Sequence, residues 1–75
     1  MSEPEMIDAT GLLCPLPVLK LRKRMKPLAP GDVIVLRADD PAAVIDVPHF
    51  CAEAGHELVE MVENGAVTLY RVRKG

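Results

Sequence analysis

Prolines and glycines cut this chain into short stretches, and their order limits the folds open to it more than any other feature. Seven prolines and five glycines stand among 75 residues. Pro15 and Pro17 open a helical stretch, because proline is tolerated in a first turn where its missing amide would have had no partner. Pro27 and Pro30-Gly31 close it, so the spacing predicts a first helix over residues 15 to about 26. Asp40-Pro41 is a second start signal, with Asp40 as N-cap and Pro41 at the first helical position, and Gly55 stops the second helix after Ala54. Pro48 falls inside it and predicts a kink or a break near Val47. Asn64-Gly65 is the strongest two-residue hairpin signal.

Strands fill the remaining stretches. Residues 5–9 form the first, with Met6 and Ile7 as its apolar pair, and residues 33–36 are a continuous apolar run that reads as a central strand buried on both sides or nearly so. Residues 58–63 and 66–73 flank the hairpin turn, although Glu60 is out of phase with its apolar neighbours and leaves the faces of its strand unassigned. On the first helix Val18, Leu21 and Met25, joined by Leu19, make the buried stripe, while Lys20, Arg22, Lys23, Arg24 and Lys26 leave the other faces basic. The order β-α-β-α-β-β predicts an α+β two-layer sandwich, a mixed four-stranded sheet with two helices on one face, as a single domain over residues 1–75.

Composition narrows the function classes. A net charge of -2 with one Tyr, one Phe and no Trp argues against direct nucleic-acid binding, which needs a basic surface and stacking aromatics. Two cysteines are too few for a disulfide scaffold, and no apolar stretch approaches the roughly 20 residues of a membrane span. With an acidic N-terminus lacking a secretory pattern, the expectation is a cytoplasmic protein with reduced thiols. No metal or other cofactor is expected: Cys14, Cys51, His49 and His56 are the best ligands available, and His49 and Cys51, two apart on a helix, face different ways.

Chemistry therefore concentrates on Cys14, immediately ahead of the first helix. An anion at a helix N-terminus gains roughly 0.3 to 1 kcal/mol, so the expectation is a solvent-facing thiol whose pKa is modestly lowered, using the amides of Leu16 and Val18. Asp8, Gly11, Pro15, Leu16 and Pro17 are candidates for shaping the loop that presents the sulfur. Lys20, Lys23 and Arg24 are candidates for steering an acidic partner surface, since Lys20, about 9 Å along the helix, is too distant to tune the thiol strongly. Asp39, Asp40 and Pro41 read as a helix cap, and Cys51, behind Phe50 on an apolar stripe, as a packed and inert thiol.

The run Asp8-Ala9-Thr10-Gly11-Leu12-Leu13-Cys14-Pro15-Leu16-Pro17-Val18, followed by Lys20, resembles the signature of the TusA/SirA-like sulfur-carrier proteins. Asp39-Asp40-Pro41-Ala42, Asp46-Val47-Pro48, Phe50-Cys51 and Gly55-His56-Glu57-Leu58 resemble that family's second half. The resemblance implies a two-layer sandwich whose Cys14 accepts sulfane sulfur as a persulfide from a donor such as a cysteine desulfurase and passes it to a downstream acceptor protein. In the best-known member the end point is 2-thiolation of the tRNA wobble uridine. That member has a glutamate where this chain has Leu16, so the resemblance leaves the acceptor open. A carrier serving successive partners is expected to be a monomer, a transferase of persulfide sulfur more than a multiple-turnover enzyme. Two other readings remain: a non-catalytic interaction or regulatory module, and a thiol redox protein pairing Cys14 with Cys51.

Overall fold

The structure, a computed structural model, describes residues 4–75. Its elements in chain order are Glu5–Asp8 (β1), Leu16–Met25 (α1), Val33–Ala38 (β2), Ala43–Ala54 (α2), Glu57–Asn64 (β3) and Val67–Arg73 (β4). The sheet order is β1-β2-β4-β3, with β1 parallel to β2 and β4 antiparallel to both of its neighbours. β2 and β3 therefore point the same way, and a helix spans each step between strands of like direction, as parallel geometry demands. This is the α+β sandwich expected from the order of elements.

Register fixes which face is dry. Ile34, Leu36 and Ala38 stand opposite Val72, Tyr70 and Thr68, and Ile7 lies beside Leu36. These residues are buried together with Leu21 and Met25 of α1 and Ala43, Val47 and Cys51 of α2, so both helices cover one face. Alternation sends the intervening residues to the other face. There Arg37 pairs with Asp8 at 3.5 Å, Arg71 with Glu60 at 3.5 Å and Arg73 with Glu57 at 2.7 Å. Val35 is buried among them, which makes β2 the near two-sided strand its apolar run predicts.

Several expectations are corrected. Only Ile7 of the Met6-Ile7 pair enters the core, because neighbours on a strand cannot share a face. On α1 the fully buried residues are Pro17, Leu21 and Met25, a strict four-residue stripe; Val18 is half-buried and Leu19 is exposed. α2 begins at Ala43, later than Pro41, with residues 40–45 closed by three-residue bonds such as Ala43 N–H to Asp40 O at 3.0 Å. Pro48 does not split the helix. Proline there removes one backbone bond, to the carbonyl of the exposed Val44, while Val47 and Cys51 on either side are anchored in the core. The hairpin loop is Gly65-Ala66, with Asn64 still paired to Val67. Gly65 alone takes a positive φ, 66°, as the first loop position of a type II′ turn requires. The misplaced phase of Glu60 is a β-bulge: Leu58 faces Val72 and Glu60 faces Arg71, leaving Val59 as the extra residue.

Among the described residues one buried side-chain polar atom lacks a partner. The Tyr70 hydroxyl is in the core with no hydrogen bond, although Thr68 lies close enough to oppose slightly the upward push that burial gives its pKa. An unpaired buried hydroxyl costs about 1 to 3 kcal/mol, so Tyr70→Phe is expected to leave stability unchanged or raise it by about 1 kcal/mol. Urea denaturation checks this, and a loss above about 1 kcal/mol would mean that the hydroxyl has a partner in solution.

Candidate functional site

Cys14 is on the loop between β1 and α1, at the carboxyl end of the parallel strand pair, and is exposed. Four side-chain contacts hold the loop. Asp8 Oδ1 accepts the Thr10 amide at 3.0 Å and the Thr10 hydroxyl at 2.7 Å, which hold the Asp8 carboxyl below the usual carboxylate range. Asp39 Oδ1 accepts the Gly11 amide at 3.0 Å, and Asp40 Oδ2 accepts the Cys14 amide at 2.7 Å. Gly11 has φ 81°, a conformation that a side chain would strain. The two aspartates following β2 thus clamp the loop following β1, which pairing of the two strands brings alongside.

This gives Asp40 more work than capping. Its Oδ1 accepts the Ala42 amide at 3.3 Å at the start of α2, while Oδ2 holds Cys14, and its side chain is largely buried between them. Local sequence reading accounts for Asp39 and Asp40 as a cap and stops there. The available signal was the doubling, since a single acid suffices to cap a helix.

The electrostatics overturn the expectation of a lowered thiol pKa. The nearby Asp46 carboxylate first, then partial desolvation, then the negative charge of Asp40 push the Cys14 thiol above its ordinary value. The helix end offers little in return, because the Leu16 amide is already donated to Leu13 O at 2.9 Å and Pro15 and Pro17 carry none. Asp46, in the first turn of α2, is the residue that the site reading missed. It lines, with Cys14, Val18, Leu19 and Phe50, a cleft of about 280 Å³ between the two helices.

Exposed leucines stand beside the sulfur: Leu13 and Leu16 lie close to Cys14 in the chain and Leu19 lines the same cleft, and they are 68%, 49% and 47% exposed. Ile45 of α2 is 74% exposed. Of the basic residues, Lys20 donates to Asp8 O at 3.0 Å and Arg24 is ion-paired with Glu5, so both tie α1 to β1. Lys23 has no ion-pair or hydrogen-bond partner among the described residues. Pro15 and Leu16 are exposed beside Cys14, whereas Pro17 turns into the core. Cys51 is 2% exposed, and burial pushes its thiol up as well. His49 pairs with Glu53 at 3.3 Å, and His56 accepts the Gly75 amide at 3.1 Å with its ring tilted against Phe50. Among the described residues no three His, Cys, Asp or Glu side chains come together as a metal site, and no helix is long and apolar enough to cross a membrane.

Comparison with known proteins adds an independent line. The family described as Sulfurtransferase TusA matches residues 5–74. Proteins named Sulfur carrier protein TusA from Pseudomonas paraeruginosa and Pseudomonas aeruginosa are each 46% identical over 69 residues, covering 92% of this chain and 87% of theirs. The crystal structure of a SirA-like protein from Desulfitobacterium hafniense superposes with a TM-score of 0.82 at 24% identity, over 93% of this chain and 96% of that one, which is a likeness of fold.

Proposed function

The chain belongs to the TusA sulfurtransferase family, and from that premise we propose that it is a sulfur carrier whose Cys14 takes up sulfane sulfur as a persulfide and hands it to an acceptor protein. The observation that carries the reading is an exposed thiol on a loop whose backbone is clamped by two carboxylates, with exposed Leu13 and Leu16 beside it. A packed structural cysteine needs neither the clamp nor the exposure.

In loading, the Cys14 thiolate attacks the outer sulfur of a donor persulfide. A new S–S bond forms at Cys14, the donor's S–S bond breaks, and its electron pair leaves on the donor thiolate, which takes the proton. The sum is R–S–SH plus Cys14–SH giving R–SH plus Cys14–S–SH, with no external oxidant. Delivery is the same displacement with an acceptor thiolate attacking the outer sulfur. The donor is a protein such as a cysteine desulfurase, and 2-thiolation of a tRNA wobble uridine is one end point. Leu13, Leu16, Leu19 and Ile45 are the docking surface, with Lys23 as the steering charge most free to turn outward and Lys20 and Arg24 bracing the helix behind it. The protein acts as a single chain in the cytoplasm. Cys51 takes no part, since its sulfur is in the core.

Incubation with a cysteine desulfurase and cysteine, followed by mass spectrometry, tests this. Mass increments of about 32 Da per sulfur are expected on the wild-type protein and on Cys51→Ser, and none on Cys14→Ser. Loading that survives in Cys14→Ser, or depends on Cys51, removes the assignment.

A further inference from the structure

The proposed nucleophile shares its cleft with a carboxylate, Asp46, that has no ion-pair partner among the described residues. We propose that Asp46 gates the sulfur: its carboxylate keeps the Cys14 proton in place while the carrier is free, and a cationic side chain brought beside it by the docked donor or acceptor releases the thiolate at the moment of transfer. Asp46 is then a positioning residue that selects partners presenting a Lys or Arg next to their own sulfur. This rests on the carrier reading above.

The Asp40 bond to the Cys14 amide fixes the residue against the N-terminal end of α2, and Asp46 projects from the first turn of that helix into the cleft Cys14 lines. The charged or titratable groups that line the cleft with Cys14 are Asp46, His49 and Glu53 from α2 and Arg22 from α1, and Asp40, from the segment before α2, adds its charge. Three of the five are acids. His49 is engaged by Glu53, and no cation among the described residues lies within ion-pair distance of Asp46. Of the nearby cations, Lys20 and Arg24 are turned to β1, and Arg22, which lines the cleft, is not within ion-pair distance of Asp46. Asp46 is thus left without an ion-pair partner for a docked protein's cation to meet, and the exposed leucines beside Cys14 let that protein's approach exclude water, which strengthens the interaction of such a charge with Asp46.

The gate also bears on delivery. A persulfide is more acidic than its parent thiol, so the loaded Cys14 carries negative charge beside Asp46 and Asp40, and is destabilised until a cation or an acceptor arrives. In the empty protein the same acids keep the sulfur a thiol, which protects an exposed cysteine from oxidation.

Two methanethiosulfonate reagents of opposite charge, the ethylammonium and the ethylsulfonate, test the idea on the wild-type chain, Asp46→Asn and Asp46→Glu. The wild type is expected to react faster with the cation than with the anion, by a ratio that shrinks as salt is added. In Asp46→Asn that ratio falls about threefold or more and the iodoacetamide pH profile moves to lower pH; Asp46→Glu restores both toward wild type. A ratio and profile unchanged in Asp46→Asn overturn the gate, whether or not Cys14 accepts sulfur. Desulfurase loading, measured alongside, separates the two claims: absent loading with an intact gate overturns the carrier reading alone.

Discussion

Leu36→Ala is expected to lower stability by about 3 to 5 kcal/mol, the cost of deleting a fully buried leucine where the surroundings cannot close the gap. Leu36 is completely buried in the central strand β2, with Ile7 of β1 on one side and Tyr70 of β4 on the other. Both flanking residues are fixed in the sheet and the helices are anchored above it, so collapse into the cavity is restricted. The chain has little to spare. At roughly 0.05 to 0.15 kcal/mol per residue, a 75-residue domain is stable by about 4 to 11 kcal/mol. For this size each kcal/mol is worth about 4 to 8 °C, so a fall in melting temperature of at least about 12 °C is expected by circular dichroism. Val62→Ala, on the exposed side of β3, serves as the contrast and should cost under about 1 kcal/mol. A Leu36→Ala protein that melts within a few degrees of wild type would mean that the core is not assembled around β2.

The fold was legible because local signals agreed with the global solution. Pro15, Pro27, Gly55 and Asn64-Gly65 each punctuate the chain within about two residues of an observed boundary, where the physics is that of one residue's backbone. What was illegible depends on residues far apart in sequence. The bulge at Val59 reconciles the phase of Glu60 with β4, and nothing within β3 alone requires it. The exposed position of the Cys14 thiol could be read from its prolines, but its ionisation could not. Helix-end reasoning assigned the thiol a favourable field, whereas its field is set by Asp40 and Asp46, 26 and 32 residues onward, on the far side of β2. Likewise Lys20 reads as a free basic residue until its bond to Asp8 O is seen. Leu19 differs for another reason: two residues from both Pro17 and Leu21, it stands across the helix from the buried stripe Pro17, Leu21, Met25 and cannot share it.

Asp40→Ala is expected to disorganise the cysteine loop at a cost of about 2 to 3 kcal/mol. Its carboxylate accepts one amide on either side of a gap in the chain, Cys14 through Oδ2 and Ala42 through Oδ1. Hydrogen bonds to a charged group contribute roughly 1.5 to 3 kcal/mol where water is partly excluded, and the Cys14 bond, at 2.7 Å, is the shorter of the two. The Cys14 bond is only part-buried, so water replaces part of this, which sets the estimate below the sum of two full bonds. Asp40→Asn separates the contributions: its one amide oxygen can keep either partner but its NH2 cannot accept from the other, so about half the loss is expected. The amides of Cys14 and Ala42 should exchange with deuterium faster in both variants, more so in Asp40→Ala, while amides in β2 and β4 stay ordered with respect to one another. Persulfide loading should slow in parallel, because a sulfur on an unclamped loop samples geometries in which no donor can reach it in line. Unchanged exchange at Cys14 in Asp40→Ala would show that the loop is held by Asp39 and Thr10 alone and that the link from α2 to the sulfur is not structural.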